Sequence, residues 1–113
     1  MARQENRKSI NFDLDTHSLN KVFGEANRNL AYSQIKRFML TNGFEHRQYS
    51  GYVSMKRLSF AETYLFIKRL TSVCPWLVTC TKRFDVTDFL GESDALDFVV
   101  SQPEKSTLDF DVI

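Results

Sequence analysis

Polar and apolar residues alternate near the start of the chain, over residues 9–15. The apolar positions are Ile10, Phe12 and Leu14, and the polar ones between and after them are Asn11, Asp13 and Asp15. An alternation with period two is typical of a strand that buries one face. The pattern therefore predicts a strand whose polar face ends in two carboxylates.

Two helices follow from the spacing of apolar residues further along the chain. Residues 27–42 carry an apolar stripe at helical spacing, and Gly43 can adopt the left-handed conformation that ends a helix. The second helix starts at Ser59 and Glu62, which form a capping-box pattern, and it stops before Pro75. Residues 44–49 and 52–56 read as two short strands, joined by a turn at residues 50–51.

The remaining segments complete the predicted order of elements. Residues 16–24 read as a loop, residues 77–87 as a strand rich in valine, threonine and phenylalanine, and residues 93–100 as a short helix. The order β-α-β-β-α-β predicts an α+β, ferredoxin-like fold with two helices on one face of an antiparallel sheet. The other face would be left open.

A single domain over residues 1–101 fits the length of 113 residues. Residues 1–8 are expected to form an N-terminal extension, and residues 102–113 an acidic tail. Apolar and acidic residues alternate in that tail, which allows it to form an edge strand.

Charge is distributed unevenly, although the net charge is only +1. Residues 1–83 contain 14 Lys and Arg against six Asp and Glu, whereas residues 84–113 contain one Lys against eight Asp and Glu. This asymmetry favours a polyanionic partner. The charged start of the chain is unlike a secretory signal, and no apolar run is long enough to span a bilayer. We expect a cytoplasmic protein, without membrane contact, in which Cys74 and Cys80 stay reduced.

Asp13, Asp15 and Thr16 resemble the phosphotransferase signature of the haloacid dehalogenase superfamily, whose two aspartates lie two residues apart at a strand end. Those enzymes need a doubly wound parallel sheet, and no parallel βαβ pattern follows here. The pattern of elements therefore disfavours this interpretation.

A second set of motifs, spread over residues 10–100, resembles VapD, the virulence-associated protein D family of small endoribonucleases, which is similar to the CRISPR-associated ferredoxin-like nucleases. The motifs are Phe12-Asp13-Leu14, Ala31-Tyr32, Asn42-Gly43-Phe44, the series Gln48, Ser50 and Tyr52, Trp76, and Ser93-Asp94. The resemblance implies a toxin-type endoribonuclease that works as a homodimer on RNA, with an antitoxin protein as a further possible partner.

The resemblance also implies roles for particular residues. Asp13 would be the catalytic carboxylate, and Ser50 a second catalytic residue. Two Asp13 side chains brought together by a dimer could also bind a divalent ion such as Mg²⁺, or share a proton. The residues expected to contact RNA are Arg47, Tyr52, Lys82 and Arg83. The alternative function is a catalytically inactive ferredoxin-like module that binds nucleic acid or a protein.

The chain departs from the family pattern at one position. Counted without gaps from Trp76, the place of a second functional aspartate is occupied by Arg83. Asp85 points to the same face of the strand and could substitute after a shift in register. Without a shift, Arg83 would form an ion pair with Asp13 or clamp a phosphate group.

Overall fold

The computed structural model of the chain describes residues 5–48, 50–91 and 95–101. The strands are β1 (Asn6–Leu14), β2 (Phe44–Gln48), β3 (Gly51–Leu58) and β4 (Thr81–Phe89). The helices are α1 (Thr16–Phe23), α2 (Asn29–Thr41), α3 (Phe60–Val73), α4 (Leu77–Cys80) and α5 (Leu96–Val100), with a 3-10 turn at Glu25–Asn27. None of the helices in these ranges is long and apolar enough to cross a membrane.

The four strands form one antiparallel sheet in the order β2-β3-β1-β4. Strand β3 lies between β1 and β2, so that the crossover through α1 and α2 skips one strand. This is the split βαβ arrangement, and it confirms the predicted ferredoxin-like fold.

The core lies between one face of the sheet and the helices. On β1, Ile10, Phe12 and Leu14 are buried, whereas Asn11 and Asp13 are exposed. The buried residues of α1, α2 and α3 pack in the same cluster, namely Leu19, Ala31, Ile35, Met39, Phe66 and Leu70. The alternation of apolar and polar residues in β1 therefore matches the alternation of buried and exposed side chains. The helices α1, α2 and α3 pack on the buried face and leave the opposite face of the sheet uncovered.

The start of α3 and the end of α2 are formed as the sequence predicts. The Ser59 hydroxyl accepts a hydrogen bond of 3.0 Å from the Glu62 backbone N–H, and the Glu62 carboxylate accepts one of 2.9 Å from the Ser59 N–H. Hydrogen bonding from Ser59, first of all from its backbone N–H to the Glu62 carboxylate, holds the pKa of Glu62 below its usual range. At the end of α2, Gly43 has a φ of +87°, which a residue with a side chain rarely adopts.

The predicted loop at residues 16–24 is wrong, because this segment contains α1. Asp15 caps the helix: its carboxylate accepts hydrogen bonds from the Ser18 backbone N–H at 2.9 Å and from the Ser18 hydroxyl at 2.7 Å. The helix has eight residues and buries only Leu19 completely, so its apolar stripe is too short to be recognised. The cap, rather than the hydrophobic pattern, was the available signal.

The predicted strand at residues 77–87 starts later than expected. Leu77–Cys80 forms the helix α4, and β4 begins at Thr81. Leu77 and Cys80 are buried in the core on one side of this single turn. Tertiary packing has here overridden the strand preference of Val78 and Thr79. Cys74 and Cys80 are both free and buried, and burial raises the pKa of the Cys74 thiol.

Strand β1 begins at Asn6, so residues 6–8 of the predicted N-terminal extension belong to the sheet. Lys8 is only 2% exposed, and its Nζ lies 2.7 Å from a carboxylate oxygen of Asp88. The ring of Phe60 lies 4.5 Å from the same nitrogen. The paired carboxylate and the aromatic face allow a lysine to be buried at this position.

The C-terminal predictions are tested only in part. Leu96–Val100 is helical, within the helix predicted at residues 93–100. The Ser93–Asp94 pair and the possible edge strand of residues 102–113 lie outside the described residues.

Candidate active site on the open face of the sheet

Asp13 lies on the uncovered face of the sheet, next to the end of β1. Its side chain is exposed, as the alternation predicted. Within residues 5–48, 50–91 and 95–101, its carboxylate has no hydrogen bond or ion pair. An exposed carboxylate without a local partner is free to accept a proton or a ligand.

The register of β1 and β4 decides which residue lies opposite Asp13. The Cα partner of Asp13 is Arg83, and the partner of Asn11 is Asp85. Opposite residues of an antiparallel pair project to the same face, so Arg83 and Asp85 both lie on the open face. There is no shift that would place Asp85 opposite Asp13.

Arg83 forms its ion pair with Asp85 rather than with Asp13. Its Nε and Nη2 lie 3.1 and 2.9 Å from the same oxygen of Asp85. The Arg83 side chain is 73% exposed, and the remaining guanidinium N–H groups point to no acceptor in the described part of the chain. Of the two roles expected for Arg83 without a shift, the ion pair with Asp13 is not formed within the described residues, and the phosphate clamp stays a prediction.

Ser50 lies beside the same end of β1. Its carbonyl oxygen accepts a hydrogen bond of 3.3 Å from the backbone N–H of Phe12, and Gly51 is the Cα partner of Asn11. The hydrogen bonds between β1 and β3 therefore continue into the β2–β3 turn, as far as Phe12, the residue before Asp13. Asp13, Ser50 and Arg83 thus come from three neighbouring strands or turns at one end of the sheet.

Asp15 and Lys82 lie next to this group. The bonds from Ser18 hold the pKa of Asp15 below its usual range, and the positive charge of Lys82 adds to this effect. Asp15 is therefore a structural cap, and the sheet is antiparallel, which together remove the haloacid dehalogenase interpretation. Lys82 is exposed, at the irregularity in the β1–β4 register next to Asp13.

Tyr52 is placed differently from the expectation that it contacts RNA. It is only 2% exposed, and its ring stacks on that of His46 at 4.7 Å, on the face of the sheet that carries the core. Burial raises the pKa of its phenol. The side chain thus packs in the core, although Tyr52 also borders a depression lined by Ser9 and Asn11, and its contact with RNA stays a prediction.

Arg47 lies further along the open face. Its Nη1 is 3.6 Å from Glu45, and its guanidinium carbon is 5.9 Å from the centre of the Phe89 ring. The Arg7 guanidinium approaches the same ring and the same carboxylate. Phe89 and Arg7 escaped the sequence interpretation because β1 was predicted to start too late and β4 to end too early. Their positions on the same face as Asp13 follow once both strands are extended.

A magnesium site is not formed by one copy of the chain within the described ranges. No group of three or more His, Cys, Asp and Glu side chains lies close enough there to hold a metal ion. The Asp85 carboxylate is bonded to Arg83, and that of Asp15 is bonded to Ser18. The residues present around Asp13 therefore do not fit a Mg²⁺ ion in a single chain.

The fold and this surface together define a class: a ferredoxin-like domain in which the sheet face away from the described helices presents the Asp13 carboxylate opposite Arg83. The chain is 31% identical over 74 residues to "Endoribonuclease VapD 2" of Riemerella anatipestifer. The matched segment covers 66% of this chain and 79% of that protein. It matches none of the protein-family models with which it was compared. The chain belongs to the VapD family.

Proposed function

We propose that the protein is an endoribonuclease that cleaves phosphodiester bonds of RNA at the Asp13 end of the open sheet face. The observation that carries the proposal is the position of Asp13, exposed, without a partner among the described residues, and directly opposite Arg83. The similarity to a protein named as an endoribonuclease supports RNA as the substrate.

Asp13 acts in this proposal as the general base. Its carboxylate takes the proton of a ribose 2′-hydroxyl, and the resulting oxygen attacks the adjacent phosphorus. The bond from phosphorus to the 5′-oxygen breaks, and that oxygen takes a proton from water. The products are a 2′,3′-cyclic phosphate and a 5′-hydroxyl end.

Arg83 and Lys82 stabilise the negative charge that develops on the phosphate oxygens. Both side chains are exposed next to Asp13, and Arg83 keeps N–H groups beyond those bonded to Asp85. Ser50 lies beside the same strand end, where its hydroxyl group helps to orient the RNA. The pair with Asp85 holds the Arg83 side chain in one direction, which favours a fixed phosphate contact.

The active form in this proposal is a homodimer in which the open faces of two copies approach each other. Such a dimer brings the Asp13 carboxylates of the two copies together at the cleavage site. An antitoxin protein that covers the open face would block access to Asp13. Both partners follow from the resemblance to the family.

A binding module without catalysis is the second candidate. Arg83 favours it, because an arginine replaces a carboxylate at the position opposite Asp13. Such a module would hold nucleic acid through its cations, with an affinity that falls steeply as salt is raised.

One experiment separates the two functions. The purified protein is incubated with a single-stranded RNA and with the same sequence carrying 2′-deoxyribose at every position, each with Mg²⁺ and with a chelator. The nuclease proposal predicts cleavage of the RNA alone, with 2′,3′-cyclic phosphate ends, in both conditions. Cleavage of both strands would contradict the 2′-hydroxyl mechanism, and binding without cleavage would favour the module.

A further inference from the structure

An aromatic ring next to two arginines lies at the other end of the open face. Phe89 is the last residue of β4, and its Cα partner on β1 is Arg7. The guanidinium carbon of Arg7 lies 5.2 Å from the centre of the Phe89 ring, and that of Arg47 lies 5.9 Å from it. We call Phe89, Arg7 and Arg47 the aromatic–arginine cluster.

Within the described ranges, the two arginines of the cluster lie beside one carboxylate. Both arginines share the carboxylate of Glu45, at 3.0 Å from Arg7 and 3.6 Å from Arg47. Arg7 also donates from its Nε to the backbone carbonyl of Ser54 at 2.7 Å, which fixes the direction of its side chain. Two guanidinium groups are thus held against one carboxylate, on a surface that no described helix covers.

A depression of about 320 Å³ lies between this cluster and Asp13. Its lining includes Ser9, Asn11, Gly51 and Val53 next to Arg47 and Phe89, and His46 and Tyr52 also border it. The Asn11 amide donates to the Ser9 hydroxyl at 3.2 Å, so both polar groups face the depression from β1. Gly51 has no side chain, which keeps the floor of the depression low.

We propose that the aromatic–arginine cluster and this depression form a binding subsite for single-stranded RNA. One base stacks on the Phe89 ring, Arg7 and Arg47 contact the phosphates, and the neighbouring base enters the depression beside Ser9 and Asn11. Aromatic rings and arginines are the side chains that hold unpaired bases in other single-strand binding proteins.

The inference rests on the proposed function for the direction of the RNA. Arg7 and Asp13 are six positions apart on β1, which is about 20 Å along an extended strand. An RNA of several nucleotides therefore reaches from the cleavage site at Asp13 to the ring of Phe89.

The chain offers a matched control for the aromatic ring. Phe60 is also partly exposed and lies next to a cation, with its ring 4.5 Å from Lys8 Nζ, but it belongs to the start of α3 on the covered side of the sheet. A role of Phe89 in stability alone predicts the same behaviour for both residues. A role in binding RNA predicts a difference.

The test measures the affinity of the full chain for a fluorescently labelled single-stranded RNA of about ten nucleotides, by anisotropy. All proteins carry Asp13→Asn, so that the RNA stays intact. Phe89→Leu keeps apolar bulk without a ring face, and we expect it to weaken binding roughly tenfold, as for the loss of one stacked base. Phe89→Trp should bind at least as well as the parent, and Phe60→Leu should leave the affinity unchanged.

The salt dependence separates the ring from the arginines. Arg7→Gln should make the slope of log affinity against log salt shallower by about 0.7, as for one lost phosphate contact on a single strand. Phe89→Leu should leave that slope unchanged. Melting curves of every variant show that the proteins compared are folded.

The inference is wrong if the folded Phe89→Leu protein binds the RNA like its parent, if Phe60→Leu weakens binding as much, or if the parent binds no RNA. Its failure is distinct from that of the nuclease proposal. Weaker binding by Phe89→Leu in a protein that cleaves nothing overturns the nuclease and keeps the subsite. If cleavage depends on Asp13 but not on Phe89, the nuclease proposal is kept and the subsite is overturned.

Discussion

At the scale of single residues, the structure separates Asp13 from Asp15, although the two look equivalent in the sequence. Alternation predicts that both carboxylates leave the buried face of β1, and for Asp13 this is confirmed. Asp15 instead caps α1 through Ser18, because the strand has already ended. Only the register of β1 and β4 shows that Arg83 lies opposite Asp13, since sequence spacing allows either Arg83 or Asp85.

Tyr52 gives a prediction at the same scale. Because its ring is buried and stacked on His46, we expect Tyr52→Phe to leave RNA affinity and cleavage unchanged. Tyr52→Ala should lower the free energy of unfolding by about 3 kcal/mol, through the cavity that it leaves. Urea denaturation and anisotropy measure the two effects. A loss of RNA affinity in the folded Tyr52→Phe protein would restore the sequence-based expectation of an RNA contact.

At the scale of elements, most of the fold follows from the hydrophobic pattern. The stripe of α2, the capping box of α3 and the alternation on β1 each predict the observed element. The pattern fails for α1 and α4, which have eight and four residues and bury little surface of their own. Elements this short are determined by caps and tertiary packing, which a periodicity does not contain.

The cap of α1 leads to a prediction about pH. The hydrogen bonds from Ser18 lower the pKa of Asp15 in the folded chain, so its contribution to stability is present above the unfolded pKa and is lost as the pH falls through the folded pKa. Asp15→Ala should therefore melt at a lower temperature than the parent at pH 7. The difference should shrink as the pH is lowered below about 4.

Melting temperatures of the two proteins between pH 7 and pH 3 measure this effect. Glu25→Gln is a suitable control, because Glu25 is an exposed carboxylate in the 3-10 turn and does not cap α1. A difference between Asp15→Ala and the parent that stays constant with pH would contradict the assignment of Asp15 as a charged cap.

At the scale of the whole molecule, charge is divided between a basic part, residues 1–83, and an acidic C-terminal part, residues 84–113. Residues 102–113 contain three of the eight acidic residues of the C-terminal part, and one lysine. We expect the acidic tail to compete with RNA for the cations of the sheet. Deleting residues 102–113 should therefore raise the affinity for single-stranded RNA, and the gain should disappear at high salt.

Anisotropy with the full-length and shortened proteins at two salt concentrations measures this gain. A tail in which the acidic residues are replaced by Asn and Gln separates charge from length. Equal affinity of all three proteins would exclude a screening role of the tail.

The central claim is that Asp13 on the open sheet face is the catalytic carboxylate of an RNA-cleaving enzyme. The most direct measurement is the rate of RNA cleavage by wild type and by Asp13→Asn, with Glu25→Gln as the control for loss of an exposed carboxylate. We predict a fall of about 100-fold or more for Asp13→Asn, with an unchanged melting temperature, and a wild-type rate for Glu25→Gln. Equal rates for wild type and Asp13→Asn would contradict the claim.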